Sequence, residues 1–206
     1  MGRVMFFFAI FIPLFIGFEA CGSSYGETLK EGDIVFQDLP CAQSAAIQLA
    51  THSLYSHVGM IMLKDGKPFV YEAVGPVKYT SLKEWIKQGD GSHFAARRLK
   101  DSAKILTPRI LQKMRETAEQ FKGKAYDWTF EWSDEKMYCS ELVWKIYQRA
   151  TGLEIGSLQK LKEFDFSRPE VRAQLKEKYG DHVPWNEKVI SPAGMFNSDL
   201  LVTVLK

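Results

Sequence analysis

Residues 57–74 read His57-Val58-Gly59-Met60-Ile61-Met62-Leu63-Lys64-Asp65-Gly66-Lys67-Pro68-Phe69-Val70-Tyr71-Glu72-Ala73-Val74. Two largely apolar runs flank Asp65-Gly66, the strongest short-range signal for a two-residue hairpin turn, because such turns need residues that tolerate positive φ. That turn sets a register in which Lys64 faces Lys67, Gly59 faces Glu72 and His57 faces Val74. Side chains alternate between the two faces of a strand, so His57, Gly59, Glu72 and Val74 share one face. His57 and Glu72 are then diagonal neighbours, within reach of long side chains, and Gly59 leaves space opposite the carboxylate. A carboxylate placed there can hold an imidazole in one tautomer and stabilise its protonated form. The competing reading is an exposed ribbon face carrying two unrelated polar residues, and a one-residue slip would separate the pair.

Outward from the hairpin, the chain alternates short strands with helices. Ile34-Val35-Phe36 follows a Gly-Asp turn and reads as a strand, as do residues 94–99 and 200–205. Apolar spacing predicts helices over 42–54, 80–86, 108–121 and 138–151, with Ser81 and Glu84 as a capping pair, Pro108 at a first turn, and Gly123 and Gly152 as stops. Ser167-Arg168-Pro169 opens a charged helix running almost to Gly180, read as a solvated face. Five strands result. The close hairpin spacing favours an antiparallel sheet with helices packed on it, an α+β fold. No repeat or linker divides residues 29–206, which are expected to form one domain.

Composition narrows the function classes. The 206 residues are 46% hydrophobic, 13% aromatic and 25% charged, which excludes disordered and low-complexity classes. Lys and Arg number 27 against 25 Asp and Glu, so the net charge is only +2. A groove gripping a nucleic-acid backbone leaves a larger basic excess, so nucleic acid is not an expected partner. Three cysteines are too few for a disulfide scaffold and too scattered for a zinc ribbon. His52 and His57 with Cys41 upstream repeat no metal-ligand spacing, so neither a metal nor another cofactor is expected.

Residues 1–20 carry one base, Arg3, and then an apolar run from Val4 to Phe18 broken only by Pro13. This reads as a secretory signal, followed by a short tether over 21–28. Ala20 and Gly22 suit cleavage before Ser23. Alternatively, Phe18-Glu19-Ala20-Cys21 is a loose lipobox, and Cys21 is then a lipidation site attaching the chain to a membrane. An uncleaved anchor is the third reading. Export to the periplasm or cell envelope is the expectation, and removal of 1–20 leaves the charge balance unchanged.

The third chemically suggestive residue is Cys139, in Tyr138-Cys139-Ser140-Glu141-Leu142. It stands at the start of a helix and three and four residues before Leu142 and Val143, on the face that packs on the sheet. Unpaired backbone N–H groups and the helix dipole favour a thiolate there. Such a thiolate could attack a carbonyl while His57 moves the proton, and the Cys139 amide could donate to an oxyanion. An inert buried thiol and a Cys41–Cys139 disulfide are the structural alternatives. Tyr55, Tyr126 and Tyr138 are candidates for substrate contact or oxyanion donation, against plain core packing. Cys41 reads as a packing residue at a helix start.

At these residues the sequence resembles the circularly permuted papain-like amidases, the YiiX-like branch of the NlpC cysteine-peptidase superfamily. The resemblance rests on residues 29–34, Ser56-His57-Val58-Gly59, Tyr71-Glu72-Ala73, Tyr126-Asp127 and Tyr138-Cys139-Ser140-Glu141-Leu142, and covers roughly 29–205. In this branch the histidine strand comes first, then the acid, and the cysteine helix last, the order of His57, Glu72 and Cys139 here. The resemblance implies Cys139 as nucleophile, His57 as base then acid, Glu72 as its orienting residue, and a six-stranded barrel-like sheet flanked by helices. It also implies a thiol hydrolase cutting amide bonds in cell-wall peptides or small N-acyl amino compounds through a thioester. A lipid acyltransferase or thioesterase on the same scaffold and a non-catalytic peptide-binding envelope protein are the alternatives.

Overall fold

The chain was examined as a computed structural model that describes Tyr25 and residues 28–206. The leader over 1–20 and the Cys21 lipidation reading lie outside the described residues. The central hairpin joins β2 (His57–Lys64) to β3 (Lys67–Ala73), with Lys64 opposite Lys67 and Met60 opposite Tyr71. That is the register dictated by the turn, whose Asp65 and Gly66 adopt φ of 52° and 74°.

Four more strands complete the main sheet: β1 (Ile34–Gln37), β4 (Val77–Ser81), β5 (Phe94–Leu99) and β8 (Leu201–Leu205). Their order is β4-β3-β2-β1-β5-β8, with antiparallel neighbours throughout. A two-stranded ladder of β6 (Gln159–Lys160) and β7 (Lys188–Val189) stands apart. The helices are α1 (Ala42–Thr51), α2 (Leu82–Gln88), α3 (Ser102–Ile105), α4 (Pro108–Phe121), α5 (Cys139–Thr151), α6 (Pro169–Tyr179) and α7 (Pro192–Phe196). No helix among the described residues is long and apolar enough to cross a membrane.

The two-residue strands β6 and β7 are absent from the sequence reading, and so is one strand of the main sheet, β4. Its five residues end at Ser81, which is at once the last strand residue and the cap of α2, where its hydroxyl accepts from the Glu84 amide at 3.3 Å. The expected helix over 80–86 therefore begins two residues later, at Leu82, and Thr80 belongs to the sheet. The barrel-like closure is also corrected: β4 and β8 are the two free edges and do not pair, so the sheet is open. Each face is instead covered on its own, which buries the apolar side chains without closure. On one face Phe36, Val58, Met60 and Tyr71 pack against Phe121 of α4 and Leu142, Val143 and Ile146 of α5. On the other, Val35, Ile61, Val70 and Ala96 meet Trp85 of α2.

Candidate active site

His57 is the first residue of β2, and Glu72 lies on the same face of the hairpin. The imidazole Nε2 is 2.7 Å from Glu72 Oε2, with the two side chains only 4% and 0% exposed. Beside the pair, a Cβ at Gly59 would stand 2.4 Å from Val70 Cγ1 and 3.5 Å from Glu72 Cβ. The other carboxylate oxygen, Oε1, accepts a 2.5 Å hydrogen bond from the Thr80 hydroxyl. Burial pushes the Glu72 carboxyl pKa up, but the hydrogen bond and charge of His57, aided by Thr80 and Lys78, hold it below the usual carboxylate value.

Nε2 is committed to Glu72, and Cys139 is the other group that acts on the imidazole. Burial alone would lower the His57 pKa. Hydrogen bonding to Cys139 and to Glu72 outweighs it and raises the pKa from 6.5 to about 10. The imidazole is therefore a strong proton holder placed between a thiol and a carboxylate. Trp85 lies beside it, ring centroids 6.3 Å apart.

Cys139 is the first residue of α5 and is buried. Its two neighbours hold it in place. The Ser140 hydroxyl donates to the Ile190 carbonyl at 2.7 Å, and the Tyr138 hydroxyl accepts from the Ile190 amide at 3.2 Å. Behind it, Glu141 pairs with Lys145 at 2.7 Å; burial raises the Glu141 pKa to about 7 despite that cation. Cys41 is exposed and Cys139 buried, and both are free thiols, which disposes of the disulfide alternative.

A cavity of about 110 Å³ opens beside Cys139. Its wall is largely apolar and includes Ile47 of α1, Leu175 of α6, and Leu161, Phe164, Val189 and Ile190. Tyr126 and Tyr138 line it. Burial, and then the nearby Cys139, raise the Tyr126 pKa well above 10 against the opposing effect of Gln43, so its hydroxyl stays protonated. Tyr55 does not reach this cavity. Its ring packs against Phe196 and Phe36 at centroid distances of 4.5 and 5.9 Å, the core-packing role.

Sequence reasoning missed Thr80, Gln43 and Lys178. Thr80 was hidden by the unrecognised strand. Gln43 carried no signal of its own. Lys178 belongs to the helix read as a solvated face, and here α6 needs correction: Val171, Gln174, Leu175 and Lys178 recur at helical spacing and all face the cavity.

The chain is 51% identical over 177 residues, 86% of each chain, to the uncharacterized protein YiiX of Escherichia coli (strain K12). It also resembles a crystal structure described as that of the metalloprotein yiiX from Escherichia coli O157:H7, with a TM-score of 0.83 and 50% identity over 87% of this chain and 98% of the other. Among the described residues no three His, Cys, Asp or Glu side chains are grouped to hold a metal ion. The model of the permuted papain-like amidase enzymes, the YaeF/YiiX, C92 family, matches residues 28–205. Nearly the whole described chain, from the histidine hairpin to the last strand, thus belongs to the permuted papain-like amidases of the YaeF/YiiX, C92 family.

Proposed function

We propose that the chain is a cysteine amidase in which Cys139 is the nucleophile, His57 the general base and then acid, and Glu72 the residue orienting His57. The observation that carries this reading is the single imidazole placed between a buried carboxylate at 2.7 Å and a thiol at a helix N-terminus. His57 takes the Cys139 proton as the site forms, leaving a thiolate–imidazolium pair, and Sγ then bonds to the carbonyl carbon. The tetrahedral oxyanion is met by the Cys139 amide and the Tyr126 hydroxyl. The C–N bond then breaks, and the amine leaves with the proton returned from His57. Water loses a proton to His57 as its oxygen attacks the thioester, the C–S bond breaks, and the thiolate–imidazolium pair is restored with release of a carboxylic acid.

Cell-wall peptides and small N-acyl amino compounds are the substrates proposed. The apolar cavity beside Cys139 favours one further reading on the same chemistry, transfer or hydrolysis of lipid-derived acyl groups. Labelling with a thiol-directed probe across pH tests the nucleophile. Cys139 should alkylate faster at pH 6 than a free thiol, and Cys139→Ala and His57→Ala should abolish the fast phase. Alkylation no faster than a free thiol sinks the catalytic reading and leaves a peptide-binding protein. Amide substrates compared with esters and thioesters then separate amidase from acyltransferase. Export, with Cys21 as lipid anchor, completes the proposal; metabolic labelling with a fatty-acid analogue should mark wild type and not Cys21→Ser.

A further inference from the structure

The cavity beside Cys139 has one charged residue in its wall, Lys178 of α6. Its ammonium lies 3.7 Å from the centroid of the Phe130 ring, an arrangement that satisfies one side of the cation. Among the described residues no carboxylate lies within ion-pairing distance of it, and none of its N–H groups meets a protein acceptor. Asp127 is the acid that acts on it, but both Asp127 oxygens are already engaged. Oδ1 accepts from the Thr129 amide and hydroxyl at 2.8 and 2.7 Å, and Oδ2 from the Glu131 amide at 2.6 Å. Lys178 is half-buried, and that burial draws its pKa down to about 8 against the pull of Asp127. The wall around it is apolar, and Cys139 opens onto the same space.

We propose that Lys178 is the receptor for a substrate carboxylate, and that the cavity takes the amino-acid half of an N-acyl derivative of an apolar amino acid. This rests on the amidase reading and names what it cuts. The amide carbonyl sits at Cys139 Sγ, the apolar side chain lies against Ile47, Phe164, Leu175 and Ile190, and the carboxylate pairs with the ammonium. Size agrees: a dry apolar cavity of about 150 Å³ accepts benzene, so one of about 110 Å³ that is also open on one side suits a single branched or aromatic side chain. Charge agrees too. With one cation in the wall, a monoanion is neutralised, whereas a phosphate dianion would keep a second charge against apolar walls.

The test is calorimetric binding of N-acetylphenylalanine and of its carboxamide to the full-length Cys139→Ala protein, which cannot turn either over. The carboxylate should bind about tenfold tighter or more, the scale of a hydrogen-bonded ion pair. Adding Lys178→Met should bring the ratio to about one, while Lys178→Arg keeps a preference for the carboxylate and shows that the helix still packs. Equal binding of the two probes, binding of neither, or a preference that survives Lys178→Met overturns the proposal. Alkylation of Cys139 in the wild type separates this outcome from the amidase reading. Slow alkylation with an intact carboxylate preference sinks the amidase and leaves the receptor. Fast alkylation without a preference does the reverse.

Discussion

Thr80 donates its hydroxyl proton to the one Glu72 oxygen that His57 leaves free, at 2.5 Å. Both side chains are buried, so Glu72 depends on this contact for its second acceptor site. Thr80 is a positioning residue that acts on the imidazole through the carboxylate. In Thr80→Val, Glu72 Oε1 is left buried without a donor, at a cost of about 1–3 kcal/mol in urea unfolding. The Glu72 pKa should rise, its hold on His57 should loosen, and the acid limb of Cys139 alkylation should move to higher pH. Thr80→Ser should restore both readouts. An unchanged pH profile in Thr80→Val would show that the contact is structural only.

The proposed triad has a graded signature. Cys139→Ala removes the group that bonds to substrate and should lower kcat/KM by about 10³-fold or more. Glu72→Gln keeps the shape but loses the charge that holds the imidazolium, and a fall of roughly 10²- to 10⁴-fold is expected, mostly in kcat. Steady-state kinetics on an amide substrate checks both. A Glu72→Gln protein of full activity would remove Glu72 from the mechanism.

Gly59→Ala tests packing inside the hairpin. The new Cβ would lie 2.4 Å from Val70 Cγ1 and 3.2 Å from the Tyr71 carbonyl oxygen. Overpacking of this kind costs roughly 1–3 kcal/mol in unfolding free energy. Because the closer clash is with a side chain, Val70→Ala in the same molecule should recover part of the loss, a coupling read from a double-mutant cycle.

The pH dependence of stability follows from the buried pair. The folded His57 pKa, about 10, is above its ordinary 6.5, so the folded chain binds this proton more tightly than the unfolded one. Its contribution is complete below pH 6.5 and is lost as pH rises through about 10. Glu72 has the opposite sign. Its pKa is lowered from 4.5, so its contribution is present above that value and is lost as pH falls through the folded pKa. The difference in urea midpoint between wild type and His57→Gln should therefore be greatest in the plateau between and shrink toward pH 10. A difference that grows with alkaline pH would reverse the sign assigned to His57.

The acid–base pair was legible in the sequence because Asp65-Gly66 fixes a turn, the turn fixes a register, and a register sorts side chains by parity. The helices with Pro108, Gly123 and Gly152 at their ends were legible for a similar reason, since each signal is local. What escaped depends on contacts between distant segments. Val77-Lys78-Tyr79-Thr80-Ser81 is short, and Ser81 serves two elements at once, so the helix signal masked the strand. In α6 the apolar stripe is thin, and the charges between Val171 and Lys178 conceal that the stripe faces a cavity. The open sheet reflects two separately covered faces, which no single segment records. Tyr55 shows the converse: its aromatic character suits a packing group or a ligand contact alike, and only its neighbours decide between them.

The two halves of the reactive centre are unequal in how far apart they lie along the chain. His57 and Glu72 are 15 residues apart in one hairpin, a contact that closes locally. Cys139 comes later and arrives only when α5 docks and Ile190, later still, clasps both residues beside it. A chain emerging from synthesis therefore carries the imidazole and its carboxylate long before Cys139 is in place. The order of elements makes the proposed nucleophile the last member of the proposed site to arrive, and its place depends on the docking of α5.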